Sequence, residues 1–474
     1  MSPIGQRARP VRLSALDMIN LSVETPDTPI TIGAVLILDG QALRGADGCL
    51  PLAAIRAAIE GRLADAPSLR RVVRPAGPLA GRPVWIDDPA FRIDRHVLRA
   101  EVPRPGDEAA LLRLAAGLMS GVLDRTYPLW RIWLVTGLDG DRVAVVVKLH
   151  HVLADGLAAI QLIMSTVDIH FAEGSEPARP WSPSPPPSWH QLVADNVRAR
   201  LAAMRRFAPW SSLRRLVSAL HVHRRMLATL RHAARTSLNA PVGPRRRLAV
   251  LRIDLAEAKR LAHRHNGKVN DVVLSLATAG VRSLLHARGE PVDELWLHAT
   301  VAMSLRTLGQ APETGNHTGG VVVRLSAGQT DPGVRLSLVA TRSARAKRDQ
   351  PPTTGNALLV WLARLGLAGL FSRHQHMVHF VESNIAGPAK PIHVLGAPLL
   401  DVIPIGNLAG NLGVSFLALS YAGRLVITVH ADADRFPDLP ALLAGMRREW
   451  AVLCADRPGA GSTPQVVGVS WLAG

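Results

Sequence analysis

The sequence predicts an α/β protein of two domains, each a mixed sheet with flanking helices. Three observations carry this. The chain has 474 residues, more than one ordinary core holds, so two units of roughly 200 residues are the natural partition. Runs with strand alternation and runs with helical spacing are interleaved in both halves. They do not follow a clean strand–helix–strand repeat, which favours mixed sheets over a doubly wound parallel one.

In the first half, "TIGAVLIL" (Thr31–Leu38) reads as a strand and "AAIRAAIEGRLADAP" (Ala53–Pro67) has helical spacing. "RIWLVTGL" (Arg131–Leu138) and "RVAVVVKL" (Arg142–Leu149) read as two strands around the turn "DGD". A helix is expected from about Leu157 to His170. Next comes "EPARPWSPSPPPSW" (Glu176–Trp189), whose prolines fit neither helix interiors nor central strands and mark a linker. A helical stretch follows from about His190 to Thr236, and strands and helices resume near Leu248. The expected domains are therefore 1–175 and 246–474, joined by a Pro-rich linker and Arg-rich helical crossover over 176–245.

Composition narrows the class. Hydrophobic content of 48% with 19% charged residues is that of a globular protein. Two cysteines, Cys49 and Cys454, exclude a disulfide framework and suit a reducing, cytoplasmic compartment. The basic N-terminus has no apolar core behind it and is not expected to be a secretory signal. The best membrane-span candidate, Ala357–Phe371, is too short and contains Arg364. The protein is expected to dissolve or to lie on a membrane surface. Net charge is +18, and between Gln191 and Val250 thirteen arginines stand against one acid, Asp195. Pairs recur at Arg205-Arg206, Arg214-Arg215 and Arg224-Arg225, interleaved with Leu, Val, Met and Phe207. This segment reads either as a solvated crossover or as an amphipathic helix on an anionic membrane. Nucleic acid is not expected as a partner, since aromatic content is 4% and no nucleic-acid-binding signature occurs.

The chemistry concentrates in "KLHHVLADG" (Lys148–Gly156). Neighbouring residues of a strand face opposite ways, so His150 and His151 take different roles, one toward a site and one toward the core. Asp155-Gly156 breaks the strand and can open the next helix. The pattern admits two satisfied histidines with Asp155 as an N-cap. It admits a metal site only weakly, because adjacent histidines make poor joint ligands and no other His/Cys cluster has ligand spacing; no metal is expected. It also admits general-base catalysis, since a neutral imidazole can take a proton from an alcohol at pH 7.

His150-His151-Val-Leu-Ala-Asp155-Gly156 matches the HHxxxDG motif of the CoA-dependent acyltransferase superfamily. Further blocks resemble the bacterial wax ester synthase/acyl-CoA:diacylglycerol acyltransferase family, in order along the chain. They are "LSALDMINLSVETPDTPITIGAVLIL" from Leu13, "LDRTYPLWRIWLVTGLDGDRVAVVVKLHH" from Leu123 with Pro128-Leu129-Trp130, and "KVNDVVLSLATAGVRSLL" from Lys268 with Asn270-Asp271. "VAMSLR" (Val301–Arg306) with Gly315-Asn316, "ESNIAGPAKPIHVLGAPL" from Glu382 and "LALSYAGRLVITVHADADRFPDLPAL" from Leu417 complete the set. Arg131 departs from the family's acid after Pro-Leu-Trp, and Ile30-Thr31 from its Met-His. Both departures bear on substrate preference.

The resemblance implies a fold of two chloramphenicol acetyltransferase-like domains around a central tunnel, joined by a helical crossover. It implies transfer of a fatty acyl group from acyl-CoA to diacylglycerol, a long-chain fatty alcohol, or both, with acyl-CoA as co-substrate and no cofactor. His151 is then the general base and His150 its support, with no acyl-enzyme. Asp155 is a structural brace with Arg306 as candidate partner, Gly156 permits the turn, and Asn270 and Asp271 shape the site or cap a helix. Residence at the inner face of the plasma membrane or on lipid droplets follows, with the Arg-rich segment on the anionic surface. The competing readings are a superfamily enzyme acting on a soluble hydroxylated or carrier-bound acceptor, and a catalytically silent lipid-surface protein.

Overall fold

The computed structural model describes residues 10–45, 48, 50–153, 181–205, 233–304, 318–349, 360, 362–363 and 365–455. The first half carries helix α1 (Ala15–Val23), strand β1 (Thr31–Asp39), α2 (Leu52–Arg62), β2 (Arg71–Arg74), β3 (Val84–Asp87), β4 (Val97–Glu101), α3 (Glu108–Met119), β5 (Trp130–Thr136) and β6 (Arg142–His150). Helix α4 (Trp189–Arg205) follows the proline-rich stretch. The second half carries β7 (Arg246–Asp254), α5 (Leu255–Arg264), α6 (Val269–Ala287), β8 (Trp296–Ser304), β9 (Thr318–Ser326), α7 (Pro332–Asp349), α8 (Ala368–His374), β10 (Phe380–Ala386), β11 (His393–Val394), β12 (Ala397–Ile405), β13 (Val414–Tyr421), β14 (Arg424–Asp432) and α9 (Leu439–Ala455).

These form two six-stranded mixed sheets, ordered β11-β12-β1-β6-β5-β4 and β7-β14-β13-β10-β8-β9. In the first sheet only β4 runs parallel to its neighbour; in the second, β10 runs parallel to both β8 and β13. The expected hairpin is present, with β5 antiparallel to β6. Its turn works because Gly140 and Asp141 take positive φ, 64° and 52°, a conformation that Gly and Asp tolerate. Gly33 lets β1 lie against β6, since a Cβ there would stand 2.0 Å from the Val147 carbonyl oxygen. Helix α2 ends at Arg62, earlier than its apolar spacing suggested, and a single-turn helix over Pro67–Arg70 follows.

One strand pair is not where chain order alone would put it. β11 and β12 belong by sequence to the segment 246–474, yet β12 pairs with β1 in the first sheet. An uncovered β1 would present a row of unpaired amide and carbonyl groups, and β12 satisfies them. The two halves are therefore interlocked, and the expected boundary at residue 246 does not separate the sheets.

Strand alternation sorts side chains into three layers. Val143, Val145, Val147 and Leu149 of β6 enter the core of the first half. Ala249, Leu251 and Ile253 of β7 enter the core of the second half. Ala144 and Val146 of β6 meet Leu248, Val250 and Val426 in a third cluster with α3, and this is the seam between the sheets. Arg252 clamps the seam: Nε donates to Asp401 of β12 at 2.7 Å, while Nη1 and Nη2 donate to Glu108 of α3 at 3.0 and 2.9 Å. Burial pulls its pKa down, but the two carboxylates outweigh that and raise it. Tyr421 adds a second tie, its hydroxyl donating to Leu399 O at 2.9 Å and accepting from Ile392 N at 3.0 Å.

Arg252→Met leaves Glu108 and Asp401 without their shared partner. The expected loss of folding stability is about 3–5 kcal/mol, read as a lower urea midpoint.

Candidate active site

His150 closes β6. Its N–H donates to Leu129 O at 2.9 Å and the N–H of His151 donates to Ile30 O at 2.9 Å, so both neighbouring strands hold the strand end. The chain then turns, with Leu153 N–H donating to His150 O at 3.0 Å. Within that turn Val152 N–H donates to His150 Nδ1 at 3.1 Å. An accepting Nδ1 places the ring proton of a neutral imidazole on Nε2, which stands 3.1 Å from Glu24 Oε1, off the ideal hydrogen-bond line. Neither side chain is accessible, at 0% and 2%.

Glu24 follows α1 and is itself well supplied. Ile30 N–H donates to Oε1 at 3.1 Å and Arg125 Nη2 to Oε2 at 2.8 Å. Burial pushes its carboxyl up, but His150 foremost, then Arg125 and the Ile30 amide, outweigh this and hold it at about 2. Lys148, two residues before His150, donates from Nζ to the carbonyls of Leu118, Ser120 and Gly121 at 3.1, 3.0 and 2.8 Å. These carbonyls are left open where α3 ends. Burial, reinforced by Arg131, lowers the Lys148 pKa to about 8. From the second sheet, buried Arg246 donates to Asp27 O and to Gly243 O, so β7 reaches the same 24–30 loop that backs His150.

His151 is half-buried at the start of the turn. Asp155, Gly156 and Arg306 lie outside the described residues, as does any contact between Asp155 and Arg306. Asn270 and Asp271 sit in the first turn of α6, as expected. Asp271 accepts the Lys268 N–H at 2.8 Å, which makes it a capping residue. Asn270 faces Glu382 of β10 without an ordinary hydrogen bond. Glu382 is 0% exposed, and burial, only partly countered by Asn270, raises its carboxyl to about 8. Pro128-Leu129-Trp130 is a packing element: Trp130 is 1% exposed, donates from Nε1 to Leu69 O at 2.7 Å and stacks on His96 with ring centroids 4.5 Å apart. Leu129 contributes through its carbonyl, which holds His150 N–H. Among the described residues no cluster of three or more His, Cys, Asp or Glu could hold a metal.

Glu24, Arg246 and Glu382 were not singled out from the sequence. Glu24 stands 126 positions from His150, and no local pattern in "SVETPDTPI" signals that they meet.

Comparison with known proteins identifies the family. The model of the wax ester synthase/diacylglycerol acyltransferase catalytic domain matches residues 13–273, and that of the WS/DGAT C-terminal domain matches residues 314–453. The chain belongs to the wax ester synthase/diacylglycerol acyltransferase family. It is an acyltransferase. A probable diacylglycerol O-acyltransferase of Mycobacterium tuberculosis is 31% identical over 393 residues, covering 79% of this chain and 82% of the relative. Among solved structures, the wax ester synthase/diacylglycerol acyltransferase of Marinobacter aquaeolei matches with a TM-score of 0.65 at 21% identity, covering 94% of this chain and 99% of that one. A starter condensation domain of rhizomide synthetase matches at 0.59 and 16% identity, covering 98% of each chain. These structures share the two-domain, chloramphenicol acetyltransferase-like fold.

Because the folded-state pKa of Glu24 is depressed, the native state binds fewer protons than the unfolded chain between about pH 4.5 and 2. Its stabilisation is present above pH 4.5 and is lost as pH falls through that window. Wild type is expected to lose roughly 3 kcal/mol more than Glu24→Gln between pH 5 and 2, measured as urea midpoints across pH.

Proposed function

We propose that this acyltransferase moves a fatty acyl group from acyl-CoA to diacylglycerol or a long-chain fatty alcohol, with His151 as general base. The observation that carries the assignment is the commitment of His150. Its Nδ1 accepts from Val152 and its Nε2 is turned to buried Glu24, which supports the reading of His150 as the supporting histidine and of His151 as the base. In this reading a His151 ring nitrogen takes the hydroxyl proton as the acceptor oxygen attacks the thioester carbonyl carbon. The tetrahedral oxyanion collapses, the C–S bond breaks, and CoA leaves as a thiolate that recovers the proton from the imidazolium. An ester and free CoA result, with no acyl-enzyme. Donors aimed at the oxyanion are typically worth about 3–4 kcal/mol.

Two surface features support the substrates. Arg113, Arg245 and Arg247 line a groove of about 310 Å³ beside Arg246, with Asp434 in the lining paired to Arg245; the net positive surface suits an anionic donor such as CoA. Helix α4 exposes Val197, Leu201 and Met204 at 48, 49 and 71%, spaced four and three residues apart and hence on one face. Arg198 and Arg200 stand on the same helix. It is tied to the first half by Arg12, which pairs with Asp195 at 2.9 Å and donates to Leu192 O at 2.8 Å. Such a stripe suits peripheral contact with an anionic lipid surface, where acceptors of this kind reside. Among the described residues no helix is long and apolar enough to cross a membrane.

Purified protein is expected to esterify diolein and hexadecanol from palmitoyl-CoA. His151→Ala should lower kcat by about 10²–10⁴, and retained activity in that variant would rule out the mechanism. In flotation with vesicles containing phosphatidylglycerol, Leu201→Glu/Met204→Glu should lose most of the bound fraction; unchanged binding would remove α4 from membrane docking.

A further inference from the structure

Three polar side chains with no described role stand together on the seam face of the second sheet. Ser415 of β13 and His430 of β14 are cross-strand partners, and Thr428 is two residues from His430 on the same face. Val426, next along that face, belongs to the seam cluster. All three are buried, at 5, 4 and 0% exposure. Among the described residues, Ser415 Oγ, Thr428 Oγ1 and His430 Nε2 have no hydrogen-bond partner. Buried polar groups are rarely left so in native proteins, and three adjacent ones on one face form a strip awaiting a polar ligand.

The chemistry of the strip is specific. His430 Nδ1 lies 2.8 Å from Gly406 O, which can only accept, so Nδ1 carries the proton. Burial foremost, then Arg246, keeps the ring neutral, with its pKa lowered to about 3. Nε2 is therefore an acceptor that needs a donor, while the two hydroxyls beside it can donate. A Cβ at Gly406 would stand 3.8 Å from Ser415 Oγ, at ordinary van der Waals distance, so Gly406 borders the strip. Gly406 follows Ile405, which pairs with Gly33 of β1, and Thr31 of β1 pairs with His150. β12 and β6 flank β1, so Gly406 lies about 10 Å across the sheet from the histidine pair.

An acceptor-only nitrogen beside hydroxyl donors complements a secondary amide. The hydroxyl of diacylglycerol or a fatty alcohol donates and accepts through one oxygen; each amide of the pantetheine arm of CoA instead pairs an N–H donor with a separate carbonyl acceptor, as the strip's acceptor nitrogen and two hydroxyls require. We propose that Ser415, Thr428 and His430 bind the pantetheine amide of the acyl donor that lies nearest the sulfur, His430 Nε2 accepting its N–H and the hydroxyls donating to its carbonyl oxygen. This rests on acyl-CoA being the donor.

The test compares S-palmitoyl-N-acetylcysteamine, which keeps the amide nearest the sulfur, with S-ethyl thiopalmitate, which lacks it. Diolein and hexadecanol serve in turn as acceptor. Wild type is expected to prefer the amide-bearing donor by about tenfold in kcat/KM. His430→Leu and the near-isosteric Thr428→Val and Ser415→Ala should shrink that preference several-fold or abolish it with either acceptor, and raise KM for palmitoyl-CoA. A ratio between two donors is insensitive to a partly misfolded fraction, which a merely structural role would produce. Variants that keep the wild-type preference, or that change transfer to one acceptor alone, overturn the inference while leaving the proposed function standing. Wild type that transfers from palmitoyl-CoA to neither acceptor overturns both.

Discussion

The buried contact between Glu24 and His150 is the constraint from which the rest of the site is built. A carboxylate placed among apolar groups is costly unless donors surround it. Glu24 meets that cost with His150, Arg125 and the Ile30 amide. The same arrangement fixes the 24–30 loop, whose Ile30 carbonyl holds His151 N–H and whose Asp27 carbonyl receives Arg246 from the second sheet. One contact thus orients the first histidine, anchors the backbone of the second and brings the two sheets to the same place.

The interlocking of the halves makes that arrangement rigid. β12 crosses from the C-terminal segment to pair with β1, and β1 is the strand on which His150 is registered. Arg252 and Tyr421 tie the same crossing strand to α3 and β13. A shift of one sheet over the other would break the buried charge clamp and strain the connections that carry the chain from β10 into β11 and β12 and back to β13. The proposed base therefore stands at a seam whose two sides cannot drift independently, as a reaction between two bound substrates requires.

Charge is distributed to match this plan. Of a net charge of +18, the arginines buried near the site are consumed by carbonyls and carboxylates, as Arg246 and Arg252 are. Those at the groove rim and along α4 remain at the surface, with Arg245 paired to Asp434 there. The first group sets geometry, and the second offers a field to anionic partners.

Much of the fold was legible because it is local. Alternation in "RVAVVVKLH" marked β6, the turn residues Gly140 and Asp141 marked the hairpin, and the prolines before Trp189 marked the linker. Strand alternation also assigned different surroundings to His150 and His151, and the ordered blocks around them led to the family. What the sequence could not hold is any fact that joins distant positions. The partner of His150 is 126 residues away, β12 sits in a sheet that chain order assigns to the other half, and the polar face of Ser415, Thr428 and His430 exists only once β13 and β14 are in register. The HHxxxDG motif is written in adjacent letters because a strand end and its turn are decided by neighbouring residues. Its buttress and its neighbours across the seam are decided by packing, which selects contacts by space and charge and leaves no periodicity to read.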